Sequence, residues 1–215
     1  ILRTVLGTAL NLLATVTLAY GLGKKNLPGR SAITLFVFFP MLFSGGMIPT
    51  YLLIHALNIN NTIWAMILPC IISVWNTLLM RNFFMEIPES LEESAKIDGA
   101  STLTILFRII LPLSLPAIAT IGLFYAVGHW NAWFDASMYI TKRELMPLQV
   151  ILRSIILAMS NEGINNEVIN DMTSQPPTES MKCAAIIVTT LPIICVYPFI
   201  QKYFVKGVMV GSVKG

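Results

Sequence analysis

ESLEESAKIDGA, Glu89 to Ala100, is the stretch on which the reading of this chain turns. Five of the ten residues from Glu89 to Asp98 are charged, in a chain of 215 residues that is 55% hydrophobic and only 12% charged. Soluble domains carry about 25% charged residues, so this composition, with a mean hydropathy of +0.73, belongs to a membrane protein. The segment reads as a helix. Pro88 precedes it, Ser90 and Glu93 stand at capping-box spacing, and Gly99 suits the left-handed residue that ends a helix. Ser101 is placed to cap a second helix, Thr102 to Ile110, before Leu111-Pro112 leads back into apolar sequence. Leu91, Ala95 and Ile97 are expected to form an apolar stripe, with Glu89, Glu92, Glu93 and Lys96 on polar faces. Such a helix can dock in a groove on a partner or lie solvated in a loop.

Outward from this segment, five stretches approach the roughly 20 apolar residues that a membrane span needs. They are Val5–Leu22, Ala32–Ile54, Ile63–Met80, Leu113–Phe134 and Cys183–Phe204. Each carries polar or helix-distorting residues: Asn11, then Pro40 with Gly45-Gly46, Pro69 with Asn76, Gly122 with Gly128, and Pro192 with Pro198. Lipid tolerates these where neighbouring helices or water satisfy the freed backbone groups. The expected fold is all-α, a polytopic membrane helical bundle of one domain over residues 1–215, with a short helix at Glu89–Pro112 outside the bilayer.

Basic residues in the connections orient the bundle. Lys24, Lys25, Arg30, Arg81, Lys96, Arg108, Lys202, Lys206 and Lys214 fall on one side, and Arg3, Lys142, Arg143, Arg153 and Lys182 on the other, nine against five. The charged helix and the C-terminus are therefore expected in the cytoplasm. Parity then puts Ile1 outside, so a further span ahead of it, six in all, is expected of the intact protein. No secretory leader is visible. The external connection Asp135–Lys182 opens on TKREL, contains a possible amphipathic helix (PLQVILRSIILAM), and turns polar through NEGINNEVINDMTSQPPTES.

Several functions are disfavoured. The net charge of +3 is scattered, with no run of five basic residues, which argues against nucleic acid. Cys70, Cys183 and Cys195 read as packing residues and not as a disulfide or metal framework. His55 and His129 stand far apart without a metal-binding motif, and no nucleophile–base signature occurs. No phosphate-cradling GxxxxGK[ST] loop exists; Gly21-Leu22-Gly23-Lys24 has the wrong spacing. The chain is expected not to be an enzyme and to hold no cofactor.

Glu93-Ser94-Ala95, then Gly99, Ile109 and Leu111-Pro112 at their spacing, resembles the EAA signature of permease subunits of ATP-binding-cassette importers. EESAKIDGAS and FRIILPLSLP are similar to the sugar and oligosaccharide branch, the maltose-permease-like family, with Ser94 in place of the usual first alanine. TVLGTALNLLATVTLAYGL looks like that family's second span, WNAWFDASMYI like the end of its fifth, and YFVKGVMVGSVKG like its cytoplasmic tail. The likeness covers essentially all 215 residues; the family's first span is what it leaves out.

The resemblance implies a bacterial inner-membrane permease and three kinds of partner. These are an ATPase dimer that binds ATP and Mg, a second and different permease subunit, and an extracytoplasmic solute-binding protein, which Lys142 and Arg143 could touch. It further implies that Glu92, Glu93, Ser94, Ala95, Asp98, Gly99, Ala100, Ile109, Leu111 and Pro112 couple the chain to the ATPase.

For the solute path, Trp130, Asn131, Trp133 and Asp135 offer ring faces and paired hydrogen-bonding groups suited to carbohydrate, with the buried Asn76 as a second candidate. An aromatic belt at the outer interface is the competing reading. The polar outer loop and the family wording point to an oligosaccharide from a plant or acidic polysaccharide, without naming it. The alternatives are a permease of the same superfamily for a non-sugar solute, and an ATP-independent carrier. No central Asp, Glu, Lys or Arg in the five spans supports the carrier.

Overall fold

Leu2–Gly23 forms α1, an uninterrupted 22-residue helix against which the rest of the bundle packs. The computed structural model describes the backbone of residues 1–165 and 178–211, and side chains through residue 157 and at residues 180, 182–196 and 198. The other helices are α2 (Arg30–Leu42), α3 (Met47–Ala56), α4 (Ile63–Cys70), α5 (Val74–Glu86), α6 (Glu89–Ile97), α7 (Thr102–Leu113), α8 (Leu115–Asn131), α9 (Phe134–Tyr139), α10 (Leu148–Asn165) and α11 (Thr178–Gly211). No strand occurs among the described residues, and the fold is the expected all-α bundle.

Every fourth residue of α1 from Arg3 (Arg3, Gly7, Asn11, Thr15 and Ala19) is buried, and so is every fourth residue of α8 from Ala117 (Ala117, Ile121, Tyr125 and His129). The two ridges pack against each other with the chains running in opposite directions. Arg3 meets Ala132 and Asp135, a Cβ on Gly7 would fall 2.5 Å from His129 Nε2, and Thr15 Oγ1 lies 2.6 Å from the Tyr125 hydroxyl. Small residues let the backbones approach where lipid supplies no hydrophobic drive. On its other side α1 packs on α5, where Tyr20 meets Phe84 edge-on with ring centroids 6.2 Å apart. Tyr20, Met80, Phe84, Ile105, Leu106, Ile110 and Ile121 belong to the main core, at the α6 end of the bundle.

Two of the expected spans are broken. Ala32–Ile54 is two helices, α2 and α3, whose axes differ by 113°. Gly46, at φ 85° and ψ −178°, turns the chain through a conformation essentially reserved for glycine. Ile63–Met80 is α4 and α5, bent by 55° after a 3₁₀ turn at Leu68–Cys70 that holds Pro69. Ser73 starts the new helix by accepting the Asn76 amide at 3.4 Å. Neighbours supply the groups freed at this break: Asn11 Nδ2 donates to the Cys70 carbonyl at 3.0 Å, and the Ser73 amide donates to the Tyr125 hydroxyl at 3.2 Å. α7 and α8 meet at 83°, and α8 ends at Asn131, short of Phe134, which opens α9. Among the described residues α1 alone is long and apolar enough to cross a membrane by itself, and each bent pair reaches that length jointly.

The expected amphipathic helix is α10, and α11 contains the whole of the expected span Cys183–Phe204. Residues 166–177 of the polar outer stretch, residues 212–215, and the side chains of the tail from Tyr203 lie outside the described residues. The three cysteines are not packing residues: all are free and exposed on helix exteriors. Arg3, expected in an outer connection, is buried in the bundle, which leaves nine basic residues against four across the remaining connections.

Candidate functional site

α6 is mounted on the end of α1 by charge and by a small apolar footprint. Its first turn carries Glu89 and Glu92 and its last turn Lys96, the arrangement that suits the helix dipole. Lys24, just past α1, forms an ion pair with Glu92 and lies 4.0 Å from the Tyr20 ring centroid. Lys25 pairs with Glu89 at 2.8 Å, fully in solvent. The hydrogen bond from Lys25, reinforced by its charge, holds the Glu89 carboxyl below the usual glutamate range.

The expected capping box does not form. Helix α6 already starts at Glu89, with Pro88 in the capping position, so Ser90 sits two positions too far in, and no side chain caps this end. The other end is as expected. Gly99 has φ 79°, its amide donates to Lys96 O at 3.0 Å, and the Ala100 amide donates to Ala95 O at 2.9 Å. This is the paired bonding of a Schellman motif, with Ala95 and Ala100 as its apolar contact. Ser101 caps α7 by accepting the Thr104 amide at 3.3 Å.

The motif residues separate into two faces. Ala95, Ala100, Ile109 and Leu111 pack on the main core, and Glu92 is held by Lys24. Glu93, Ser94, Asp98, Gly99 and Pro112 are exposed. The expected stripe of Leu91, Ala95 and Ile97 is thereby split: Ala95 turns inward, while Ile97 is 87% exposed and Leu91 is exposed as well. Leu103 and Phe107 of α7 are exposed too. Arg30 and Arg81 each donate Nε to the Leu22 carbonyl, at 3.1 and 3.2 Å, filling one of the unsatisfied acceptors at the end of α1.

At the opposite end four of the five expected path residues cluster, and three of them hold intramolecular partners. Asp135 forms a two-pronged pair with the Arg3 guanidinium and accepts the Ala136 amide at 2.8 Å. Arg3 also donates to Ala132 O and Met66 O, both at 3.4 Å. Trp130 Nε1 donates to Thr189 O of α11 at 3.0 Å, and the Arg153 guanidinium of α10 lies 3.5 Å from the Trp133 ring centroid. Asn131 is exposed. Asn76 is buried far from this group, in the first turn of α5. A cavity of about 170 Å³ adjoins the cluster, lined among others by Arg3, Thr4, His129, Trp130 and Glu144.

Sequence reasoning missed Arg3, Gly7 and His129 at this end and the roles of Lys24, Lys25, Arg30 and Arg81 at the other. The signal for the first set was the four-residue period of Arg3, Gly7, Asn11 and Thr15. For the second no local signal exists, because Lys24 and Glu92 are 68 residues apart.

Residues 12–210 match the family of binding-protein-dependent transport system inner membrane components. The chain belongs to this family. The permease is 49% identical over 213 residues to the polygalacturonan/rhamnogalacturonan transport system permease protein YtcP of Bacillus subtilis (strain 168), spanning 99% of the chain and 74% of that relative. It is 48% identical over 212 residues to protein LplC of the same strain, covering 99% of the chain and 71% of the relative. Its fold is similar to a chain in the crystal structure of a bacterial ABC transporter involved in the import of the acidic polysaccharide alginate. The TM-score is 0.80 at 34% identity, with 94% of this chain and 73% of that chain covered. The permease is thus a transport subunit integral to the inner membrane. Its family implies an ATPase, a solute-binding protein and a second permease as partners.

Proposed function

We propose that the permease forms part of the translocation path of an ATP-driven importer for an acidic oligosaccharide, with α6 as the helix on which the partner ATPase acts. The observation that carries the coupling role is the division of α6 into a fastened face and a free one. Ala95, Ala100 and Glu92 tie it to the bundle, while Leu91, Glu93, Ser94, Ile97 and Asp98 stand outward, an apolar and acidic surface of the kind that seats in a groove. A two-state closure of the ATPase would push on this face, and the Gly99 turn would pass the motion through α7, with Ile109, Leu111 and Pro112, to α8. ATP and Mg stay with the partner; this chain's residues supply contact and leverage.

The solute assignment rests on the relatives, two of which are described by the acidic polysaccharides they transport or help import. Of the expected path residues, Asn131 presents an exposed polar group to solute, Asn76 lies beside the α4–α5 break, and Trp130, Trp133 and Asp135 shape the path's end. The excess of basic residues beside α6 supports placing that end, and the C-terminus, in the cytoplasm. A different second permease subunit is part of this reading.

The test is ATP-driven uptake into proteoliposomes carrying the assembled importer with its binding protein. Oligogalacturonate is expected to be imported and neutral maltooligosaccharide not; the reverse preference sinks the acidic-solute reading. In the same vesicles A95W, which lifts α6 from its footing, is expected to leave ATP hydrolysis running while uptake stops. Normal uptake by A95W removes α6 from the coupling role.

A further inference from the structure

Among the described residues Arg30 and Arg81, like Lys96 and Arg108, have no carboxylate partner at the α6 end, and they alone of these four share one acceptor. Lys24 and Lys25 beside them are paired with Glu92 and Glu89, but no carboxylate of a described residue, Glu86 included, lies within ion-pair distance of either arginine. Both spend only Nε on the Leu22 carbonyl, and Arg30 Nη2 adds a weak contact to Met85 Sδ at 3.6 Å. Two half-buried guanidinium groups drawn to one carbonyl repel each other, and an anion between them would relieve that repulsion. Arginine forks match phosphate geometry in particular.

The space they face is shaped in two halves. A cavity of about 500 Å³ is lined by Arg30, Ser31, Thr34, Leu35, Phe38 and Arg81. Arg30, Ser31 and Thr34 occupy the first turns of α2, so two hydroxyl donors stand beside the guanidinium groups. One turn further into the apolar sequence come Leu35, 68% exposed, and Phe38. A cationic, hydroxylated rim above an apolar wall, at the end of a membrane helix, has the polarity profile of one leaflet.

We propose that this cavity binds an anionic glycerophospholipid. The phosphodiester lies between Arg30 and Arg81, the Ser31 and Thr34 hydroxyls donate to headgroup oxygens, and an acyl chain lies along Leu35 and Phe38. A free phosphate would use the rim and leave the apolar wall uncovered, so the shape selects the lipid. Basic pockets between membrane helices bind anionic headgroups in this way. The site does not depend on which solute the permease carries, nor on the coupling role of α6.

The test is native mass spectrometry of the full-length permease in its assembled importer, released from nanodiscs of equal parts phosphatidylglycerol and phosphatidylcholine. The wild type is expected to retain phosphatidylglycerol, with a preference of about twenty-five-fold, taking about fivefold for each basic group near the headgroup. R30Q/R81Q is expected to bring the ratio close to one. T34W places an indole across the space between the arginines and the apolar wall while altering neither arginine–Leu22 bond, and it is expected to have the same effect even if the double variant does not assemble. An excess of inorganic phosphate is expected to leave the lipid in place.

No preference in the wild type overturns the proposal, and is the result expected if a partner subunit's carboxylate occupies the arginines. Full retention of the preference by T34W overturns it as well. Displacement of the lipid by inorganic phosphate alone would assign the arginines to a free anion and overturn the lipid reading.

Discussion

The two ends of α1 carry ion pairs of opposite character. At Arg3 the pair with Asp135 is enclosed, with side chains 8% and 24% exposed, and three further hydrogen bonds to backbone surround it. At Lys24 the pair with Glu92 is half-buried, with side chains 29% and 18% exposed, and at Lys25 the pair with Glu89 stands in solvent, with side chains more than 60% exposed. A buried pair is costly to open, because each charge left alone has lost its water. An exposed pair costs little to open, since water and salt replace the partner. The bundle is thus locked at one end and releasable at the other, and the releasable end is the one that mounts α6.

The largest effect is expected at the locked end. D135A strands the Arg3 guanidinium and is expected to cost about 3–5 kcal/mol, read as a lowered unfolding midpoint of the full-length permease in detergent. R3M/D135L removes both charges and is expected to recover most of that loss. A D135A midpoint equal to wild type would show that the pair does not lock this end.

Next comes the α1–α8 contact. A methyl on Gly7 falls 2.5 Å from His129 Nε2 and 2.8 Å from two ring carbons, closer than atoms can pack. G7A is expected to cost about 1–3 kcal/mol, as overpacking does, and H129A in the same chain is expected to reduce that penalty. Additive losses would place the strain elsewhere.

At the releasable end the effects shrink and change kind. K24E and E92K are each expected to lower stability by less than D135A does, yet to lower the solute moved per ATP hydrolysed. The charge-swapped K24E/E92K is expected to restore that ratio; no recovery would mean the pair does not position α6. The smallest effect is expected for E89Q. Because Lys25 holds the Glu89 carboxyl below its usual range, its contribution is present above the ordinary glutamate value and is lost as pH falls through the lowered one. Thermal midpoints of wild type and E89Q should therefore differ slightly at neutral pH and converge in acid, while a gap that persists in acid would trace the difference to packing.

How much of this was legible depended on whether the cause was local. The α6 segment could be read because its charges, the glycine at its end and the cap at Ser101 all act within a few residues. Its start differs from the capping-box reading because Pro88 takes the capping position and moves the first turn forward by two positions, which strands Ser90. The distorting residues Gly45-Gly46 and Pro69 are legible in the sequence, but the size of the bends is not, because hydropathy adds along the chain and is blind to direction, so a segment bent by 113° scores like a straight one. Arg3 and Asp135 lie 132 residues apart, and no spacing rule reaches that far. The polar and small residues repeating every fourth position of α1 did announce a packed face, and with it that Arg3 belonged inside.

That same helix has a mechanical meaning. At about 1.5 Å per residue, the 21 steps from Arg3 to Lys24 span about 30 Å, and among the described residues α1 is the helix long and apolar enough to cross a membrane by itself. It is a connecting rod in a bundle of hinged struts. A tilt imposed at the lysine end reaches the arginine end without passing through a hinge.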